Sequence, residues 1–234
     1  MNFFDRAELL IGKDKIDSLA KAKVAVFGVG GVGGFVVEAL ARSGVGEIHI
    51  FDGDTVDESN INRQIIALKT SVGQDKVKVF EERLKKINPE IKVTAKKIFF
   101  MPENSSEISF DEFDYVVDAV DTVTAKIEII KRAKERNVPV ITCMGTGGKL
   151  DPLSLRIADI SKTSVCPLAR VMRKELKDRD ITGVLALYSL EEPIKPKQEK
   201  TENGKKTAQP SMIFVPASAG LLIAKQVILD LISE

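Results

Sequence analysis

The sequence predicts an α/β protein built on a doubly wound, mostly parallel sheet. Three observations carry that expectation. Short β-branched runs alternate with segments of helical period; the runs are almost continuously apolar; and the first opens directly into a glycine-rich turn, GVGGVG, at residues 28–33. Strands covered by helices on both faces need apolar residues at successive positions, which separates such a sheet from a half-exposed antiparallel one.

In chain order, the expected strands are VAVFG (24–28), EIHIF (47–51), IKVTA (91–95), YVVDAV (115–120) and VPVITC (138–143). The expected helices between them cover 31–42, 72–87 and 123–137. These form a nucleotide-binding half of about residues 1–145. Beyond Gly145, LSLRIAD and VLALYS read as strands that extend the sheet, with a helix over 166–177 between them. KPKQEKTENGKKTAQP (195–210) has Ala208 as its only aliphatic residue and reads as a mobile loop or crossover. SMIFVPASAGLLIAKQVILDLISE then predicts a final strand and an apolar C-terminal helix packed on the sheet. With no internal repeat, one domain over 1–234 is expected, its substrate-side half being about 146–234.

Composition bounds the function. With 44% hydrophobic and 29% charged residues in 234, the chain can bury a core without staples. Its 2 cysteines, Cys143 and Cys166, are too few for a disulfide framework or a CxxC zinc ribbon and point to a reducing compartment, the cytoplasm. The N-terminal MNFFDRAELLIGKDK has acidic residues and no apolar signal core, and no uninterrupted apolar run approaches the roughly 18 residues of a membrane span. Neither export nor membrane insertion is expected. A net charge of +1 means that nucleic-acid binding would need a local basic patch.

The glycine turn states its own chemistry. Gly28 permits the tight turn, Gly30 and Gly31 let backbone N–H groups approach phosphate oxygens, and Gly33 lets the next helix sit close to the strand. Asp52, just after the second strand, stands where a Rossmann-like fold holds a ribose; Asp54 joins the cofactor-binding set. On these residues alone, an NAD(P)-dependent dehydrogenase with Asp52 on the ribose is the usual reading.

The residues beyond Asp52 favour ATP. FDGDTVDESNINRQ and VGQDKVK place Asn60, Arg63 and Lys76 within a short span. The helix terminus and turn amides largely neutralise a dinucleotide's two phosphates, whereas a triphosphate leaves extra charge for cationic side chains. A carboxylate for Mg²⁺ is expected where ligands bind in such sheets, at the carboxyl ends of the strands, and Asp118 and Asp121 in VVDAVDTVTAK stand there.

These motifs, over nearly the whole chain, resemble those of the E1-like activating enzymes, which in bacteria include the adenylyltransferases of sulfur-carrier proteins. The resemblance implies that GVGGVG is the phosphate loop, Asp52 the ribose ligand, Asn60 and Arg63 triphosphate contacts, Lys76 the phosphate lysine and Asp121 the Mg²⁺ aspartate. It also implies a homodimer in which Arg6, in DRAELLIG, reaches the partner subunit's ATP. Arg6, Arg63, Lys76 and Asp121 are then the catalytic set. Members that transfer carrier proteins usually add a zinc-binding pair of CxxC motifs, which this chain lacks. RAELLIG, DISKTSVCPLARVMRKELK, ALYSLEEP and SMIFVPASAGLLIAKQVI are instead similar to segments of the tRNA threonylcarbamoyladenosine dehydratases. That likeness implies ATP-dependent activation of the threonylcarbamoyl carboxylate at adenosine 37 of tRNA, followed by cyclisation with loss of water. An aspartate often stands in those relatives at the position of Cys166, which leaves the role of this residue open. A sulfur-carrier protein or a cysteine desulfurase is a further partner that the resemblance implies.

The remaining residues agree with such chemistry. A carboxylate is already ionised at neutral pH and needs no base to attack a phosphate, so the only histidine, His49 in mid-strand, needs no catalytic role. Cys143 is expected to be a small buried hydrophobe, and dehydration through an adenylate requires no covalent role for Cys166. Cations concentrate in KKINPEIKVTAKK, KRAKER, RVMRKELKDR and the 195–210 loop, the candidate contacts to tRNA. The alternatives are an adenylyltransferase acting on a carrier protein's C-terminus, an oxidoreductase, and a non-catalytic module; the last would lack phosphate-binding residues, and none is missing.

Overall fold

The computed structural model describes residues 3–194 and 209–233, so all of the expected 195–210 loop except Gln209 and Pro210 lies outside the described residues. Two short helices, α1 (Asp5–Ile11) and α2 (Lys13–Leu19), precede β1 (Lys23–Phe27). The chain continues through α3 (Gly33–Arg42), β2 (Glu47–Phe51), α4 (Lys76–Ile87), β3 (Lys92–Lys96), β4 (Tyr115–Asp118), α5 (Val123–Glu135) and β5 (Val140–Cys143). It ends in β6 (Leu155–Asp159), α6 (Pro167–Lys177), β7 (Leu185–Ser189) and α7 (Phe214–Leu231).

The strands form one sheet in the order β3-β2-β1-β4-β5-β7-β6. All neighbours run parallel except β6, which pairs antiparallel with β7. The Rossmann-like, doubly wound sheet extended by two later strands is therefore what the chain forms. Alternation within each strand divides the core. Val24, Val26 and Val117 face one layer with α3, α4 and α7, while Ala25, Phe27 and Val116 face the other with α5 and α6. The order reverses between β1 and β4, and ligands bind sheets of this kind at that switch point, beyond the carboxyl ends of the strands.

Among the described residues, one expected element is absent. Ser211–Ile213 pairs with no strand, and the helix α7 begins at Phe214. A short apolar run such as MIFV is ambiguous between strand and buried helix. Pro216 settles it locally, because a proline in the first helical turn needs no N–H partner. Packing does the rest: α7 crosses α3 so closely that a Cβ on Gly220 would stand 2.5 Å from the Val32 carbonyl oxygen and 2.7 Å from Phe35 Cβ. The helix is long and apolar enough to suit a membrane span by length and composition, yet Val215, Ala219, Ile223 and Val227 are fully buried in the core.

The helix expected from residue 72 starts at Lys76. Before it, Val56 N–H donates to the Gln74 carbonyl, Gly73 N–H to that of Val56 and Lys76 N–H to that of Asp54, at 2.8, 2.8 and 3.1 Å. These bonds hold 72–75 as a turn against the segment after β2, and so deliver Lys76 beside Asp54.

Candidate functional site

A cleft of about 910 Å³ opens at the switch point, lined from the β1–α3 turn, the segment after β2, the start of α4, the β4–α5 turn and the loop after β5. Its floor is the glycine turn. Gly28 has φ +81°, in the left-handed region that glycine enters without strain, and its N–H donates to Phe51 O at 2.8 Å. A Cβ on Gly33 would lie 1.8 Å from the Gly28 carbonyl oxygen, an impossible overlap, so the start of α3 can fold over the turn only as glycine. Gly30 and Gly31 face the cleft between them.

Asp52 ties this turn to β2. Its Oδ2 accepts from Val29 N–H and its Oδ1 from Asp54 N–H, both at 2.8 Å, and the residue is only 9% exposed. Asp54 in turn pairs with Lys76, Oδ2 to Nζ 2.7 Å, on a side chain half open to solvent, whereas that of Lys76 is buried. The pair is therefore an ammonium with one side anchored and the cleft before it.

The NINRQ segment begins in a short 3-10 turn, Glu58–Asn60, capped by Asp57. Asn60 Oδ1 accepts from Asp57 N–H at 3.2 Å, which leaves its side-chain amide nitrogen only a long 3.5 Å contact with Ser59 Oγ. Arg63 folds onto Ser59 O at 2.7 Å and Asn62 Oδ1 at 2.9 Å through one nitrogen. The next residue, Gln64, is one that sequence reasoning misses. It is buried in the cleft wall beside Gly30, and its Oε1 has no hydrogen-bond partner. An unpaired buried acceptor costs about 1–3 kcal/mol, a cost that a donor on a bound molecule would remove.

The structure separates two aspartates that their place at the end of a strand leaves equivalent. Asp118, the last residue of β4, is fully buried and bonded to Lys126 and Thr142. Asp121 is exposed at the cleft, with Thr122 Oγ1 3.4 Å from its Oδ1. Among the described residues no cluster of three or more His, Cys, Asp or Glu side chains is suited to a metal.

Arg6 is not brought to this cleft. It lies exposed on α1, two residues beyond Phe4, which lines a separate cleft at the opposite end of the sheet. Beyond β5, Lys149 Nζ donates to Gly145 O at 3.0 Å, and burial holds its ammonium below the ordinary lysine value. Cys143 is buried, with its thiol pushed up to about 12 by burial. Cys166 is also buried, at the N-terminus of α6. His49 is buried in β2, with Nε2 2.7 Å from Glu47 Oε1 and its ring edge-on to Phe113.

Comparison with known proteins places this geometry. The model of the ThiF family matches residues 4–232. The chain is 43% identical to the tRNA threonylcarbamoyladenosine dehydratase of Bacillus subtilis, over 99% of this chain and 95% of that protein. It superposes with a TM-score of 0.89 on the crystal structure of the E. coli tRNA N6-threonylcarbamoyladenosine dehydratase in complex with ATP, at 32% identity, covering 98% of this chain and 93% of that one. It is also 36% identical to the adenylyltransferase and sulfurtransferase UBA4 of Kluyveromyces lactis, over 62% of this chain but only 32% of that protein.

Proposed function

Since the chain belongs to the ThiF family, we propose that it is an ATP-dependent tRNA threonylcarbamoyladenosine dehydratase whose adenylating centre is the cleft at the switch point. The observation that carries this is the convergence there of the glycine turn, Asp52, Asn60, Arg63, Gln64, Lys76 and Asp121, from separate elements, on one cleft. Similarity to dehydratases over nearly the full chain sets the substrate class.

The turn amides of Gly30 and Gly31 receive phosphate oxygens, Asp52 takes the ribose, and Asn60, Arg63 and Lys76 bind the triphosphate. Arg63 is free to swing from its backbone contact, and Lys76 from Asp54, once a more negative partner arrives. Asp121 would hold Mg²⁺, which when bound would supply positive charge against the phosphates. The threonylcarbamoyl carboxylate, already ionised, attacks the α-phosphorus; its oxygen–phosphorus bond forms as pyrophosphate leaves, giving an acyl adenylate. A neighbouring substrate nitrogen then attacks the acyl carbon, loses its proton, and expels AMP to close the ring. Positioning and charge stabilisation account for the rate, and no histidine is required.

Arg6 acts in trans in a homodimer, because its own chain holds it at the far end of the sheet. Exposed Leu9 and Leu10 on the same helix, at 86% and 83%, support a covered surface there. The compartment is the cytoplasm, in keeping with a tRNA substrate and two free thiols.

The test is pyrophosphate release measured with tRNA carrying N6-threonylcarbamoyladenosine, with unmodified tRNA, with a sulfur-carrier protein and with a cysteine desulfurase added. Release dependent on the modified tRNA is expected. Release driven by the carrier protein's C-terminus instead would overturn the reading in favour of an adenylyltransferase. NAD binding tighter than ATP by calorimetry would remove both.

A further inference from the structure

We propose that the buried Asp118–Lys126 ion pair is a positioning dyad, which sets the 119–122 turn and thereby aims Asp121 at the metal–nucleotide. The inference rests on Asp121 being the Mg²⁺ carboxylate of the proposed adenylating centre. Both side chains of the pair are fully buried, with Lys126 Nζ 3.0 Å from Asp118 Oδ2. Thr142, on the neighbouring β5, donates its hydroxyl to the same oxygen at 2.5 Å.

The pair grips one residue, Val120, through the peptides on both of its sides. Val120 N–H donates to Asp118 Oδ1 at 3.2 Å, and Lys126 Nζ donates to Val120 O at 2.9 Å. Val120 stands directly before Asp121, so fixing its amide and its carbonyl fixes where the next side chain leaves the turn. The same turn is docked on the phosphate loop. Ala119 N–H donates to Phe27 O at 2.8 Å, and the Ala119 carbonyl oxygen lies only 2.8 Å from where a Cβ on Gly28 would be. Magnesium carboxylate and phosphate floor are thus held in one register.

Energetics argue that stability is not the reason for the pair. Two charges lose their hydration in this core, and apolar replacement of such pairs is often neutral or stabilising. Lys126 also sits in the first turn of α5, where the helix dipole disfavours a cation. A lysine kept at that place is explained by what its three donors can hold.

The experiment is a thermodynamic cycle read by calorimetric ATP binding, with and without Mg²⁺, on the full chain. Asp118→Asn/Lys126→Met removes both charges together and leaves no lone buried ion. It is expected to fold, to bind ATP in EDTA as the unmodified chain does, and to need about tenfold more Mg²⁺ for half-maximal enhancement of ATP binding. In an Asp121→Asn background the same double substitution is expected to add nothing, since the dyad acts through that carboxylate. Should the double variant fail to fold, Thr142→Val, which keeps both charges, is expected to shift the Mg²⁺ requirement in the same direction by a smaller factor. An unchanged Mg²⁺ requirement in the folded variant, or an effect that persists undiminished without Asp121, overturns the dyad. ATP binding by the unmodified chain with no response to Mg²⁺ strikes the reading of Asp121 itself, a separate result.

Discussion

The two ends of the sheet carry clefts of similar size, about 910 Å³ where the parallel strands finish and about 750 Å³ where they begin. The first is lined by oriented groups whose partners are known: Asp52 holding two amides, Lys76 held by Asp54, Gln64 with an unpaired oxygen. The second is lined by Phe3, Phe4 and the lysines Lys21, Lys23 and Lys92, of which Lys23 has Glu47 at 3.7 Å. Volume does not separate these ends; organisation does. Connections leaving the carboxyl ends of parallel strands bring helix starts, glycine turns and charged loops to one place, which is why such sheets bind there.

The largest effect that would test the contrast comes from side chains of the first cleft. Asp121→Ala and Arg63→Ala are each expected to lower the rate of pyrophosphate release about a hundredfold or more with the fold intact. Lys21→Ala and Lys92→Ala, at the other end, are expected to leave it unchanged. Steady-state assays on all four decide whether only one end is catalytic; near-normal release by Asp121→Ala would erase the distinction.

Arg6 sharpens the comparison because it lies toward the second cleft in its own chain. Arg6→Ala and Asp121→Ala chains, each inactive alone, are expected to recover part of the activity when mixed, since one site of the mixed dimer receives intact residues from both subunits. Sedimentation showing a fully active monomer would contradict the composite site.

A smaller effect is expected on RNA affinity, from α6. Its first turn reaches the cleft through Leu168, and Arg170 and Lys174 are exposed beyond it. Arg173, between them, is engaged with Thr163 O and Oγ1 at 2.8 and 2.6 Å, so replacing it would disturb the loop before the helix. Arg170→Glu/Lys174→Glu is expected to weaken tRNA binding on the order of tenfold and to flatten its salt dependence, with ATP affinity unchanged. Filter binding across a salt series checks this, and an unaltered salt slope would take α6 out of the interface.

The smallest effect concerns the brace behind the first cleft. Glu38 on α3 accepts from Arg83 on α4 at 2.7 and 3.0 Å and from Arg42 at 2.8 Å. Burial raises its carboxyl pKa, but the two arginines outweigh burial and hold it below the usual glutamate value. A carboxyl depressed in the folded state contributes stability above its unfolded pKa, near 4.3, and loses it as pH falls through the folded value. Glu38→Gln is therefore expected to cost about 1–2 kcal/mol at pH 7, discounted for the partly exposed arginines, and progressively less as the pH drops below about 4. Melting of both proteins at pH 7 and in acid checks the sign.

Much of the site was legible because its residues obey strong local constraints. GVGGVG after an apolar strand, an acid after the next strand, and NINRQ with a lysine further on have meaning at fixed spacings, and the cleft brings all of them together. Gln64 and Lys126 were not legible. A glutamine next to an arginine carries no signal of burial, and a lysine in VTAKIEII reads as a solvated helix position until Asp118 is seen at 3.0 Å. The absent final strand and the late start of α4 have the same origin: apolar runs and turns are decided by partners far along the chain.

By itself the sequence determined the parallel sheet and the glycine turn that lines the cleft at the carboxyl end of β1, because periodicity and glycine placement act over a few residues. Tertiary structure decided which aspartate faces the cleft and which is locked beneath it, that the Gln64 side-chain oxygen is buried without a partner, and that Arg6 stands away from this cleft in its own chain. Those outcomes depend on desolvation and on contacts between distant elements. A buried charge is indistinguishable from an exposed one until the fold supplies, or withholds, its partner.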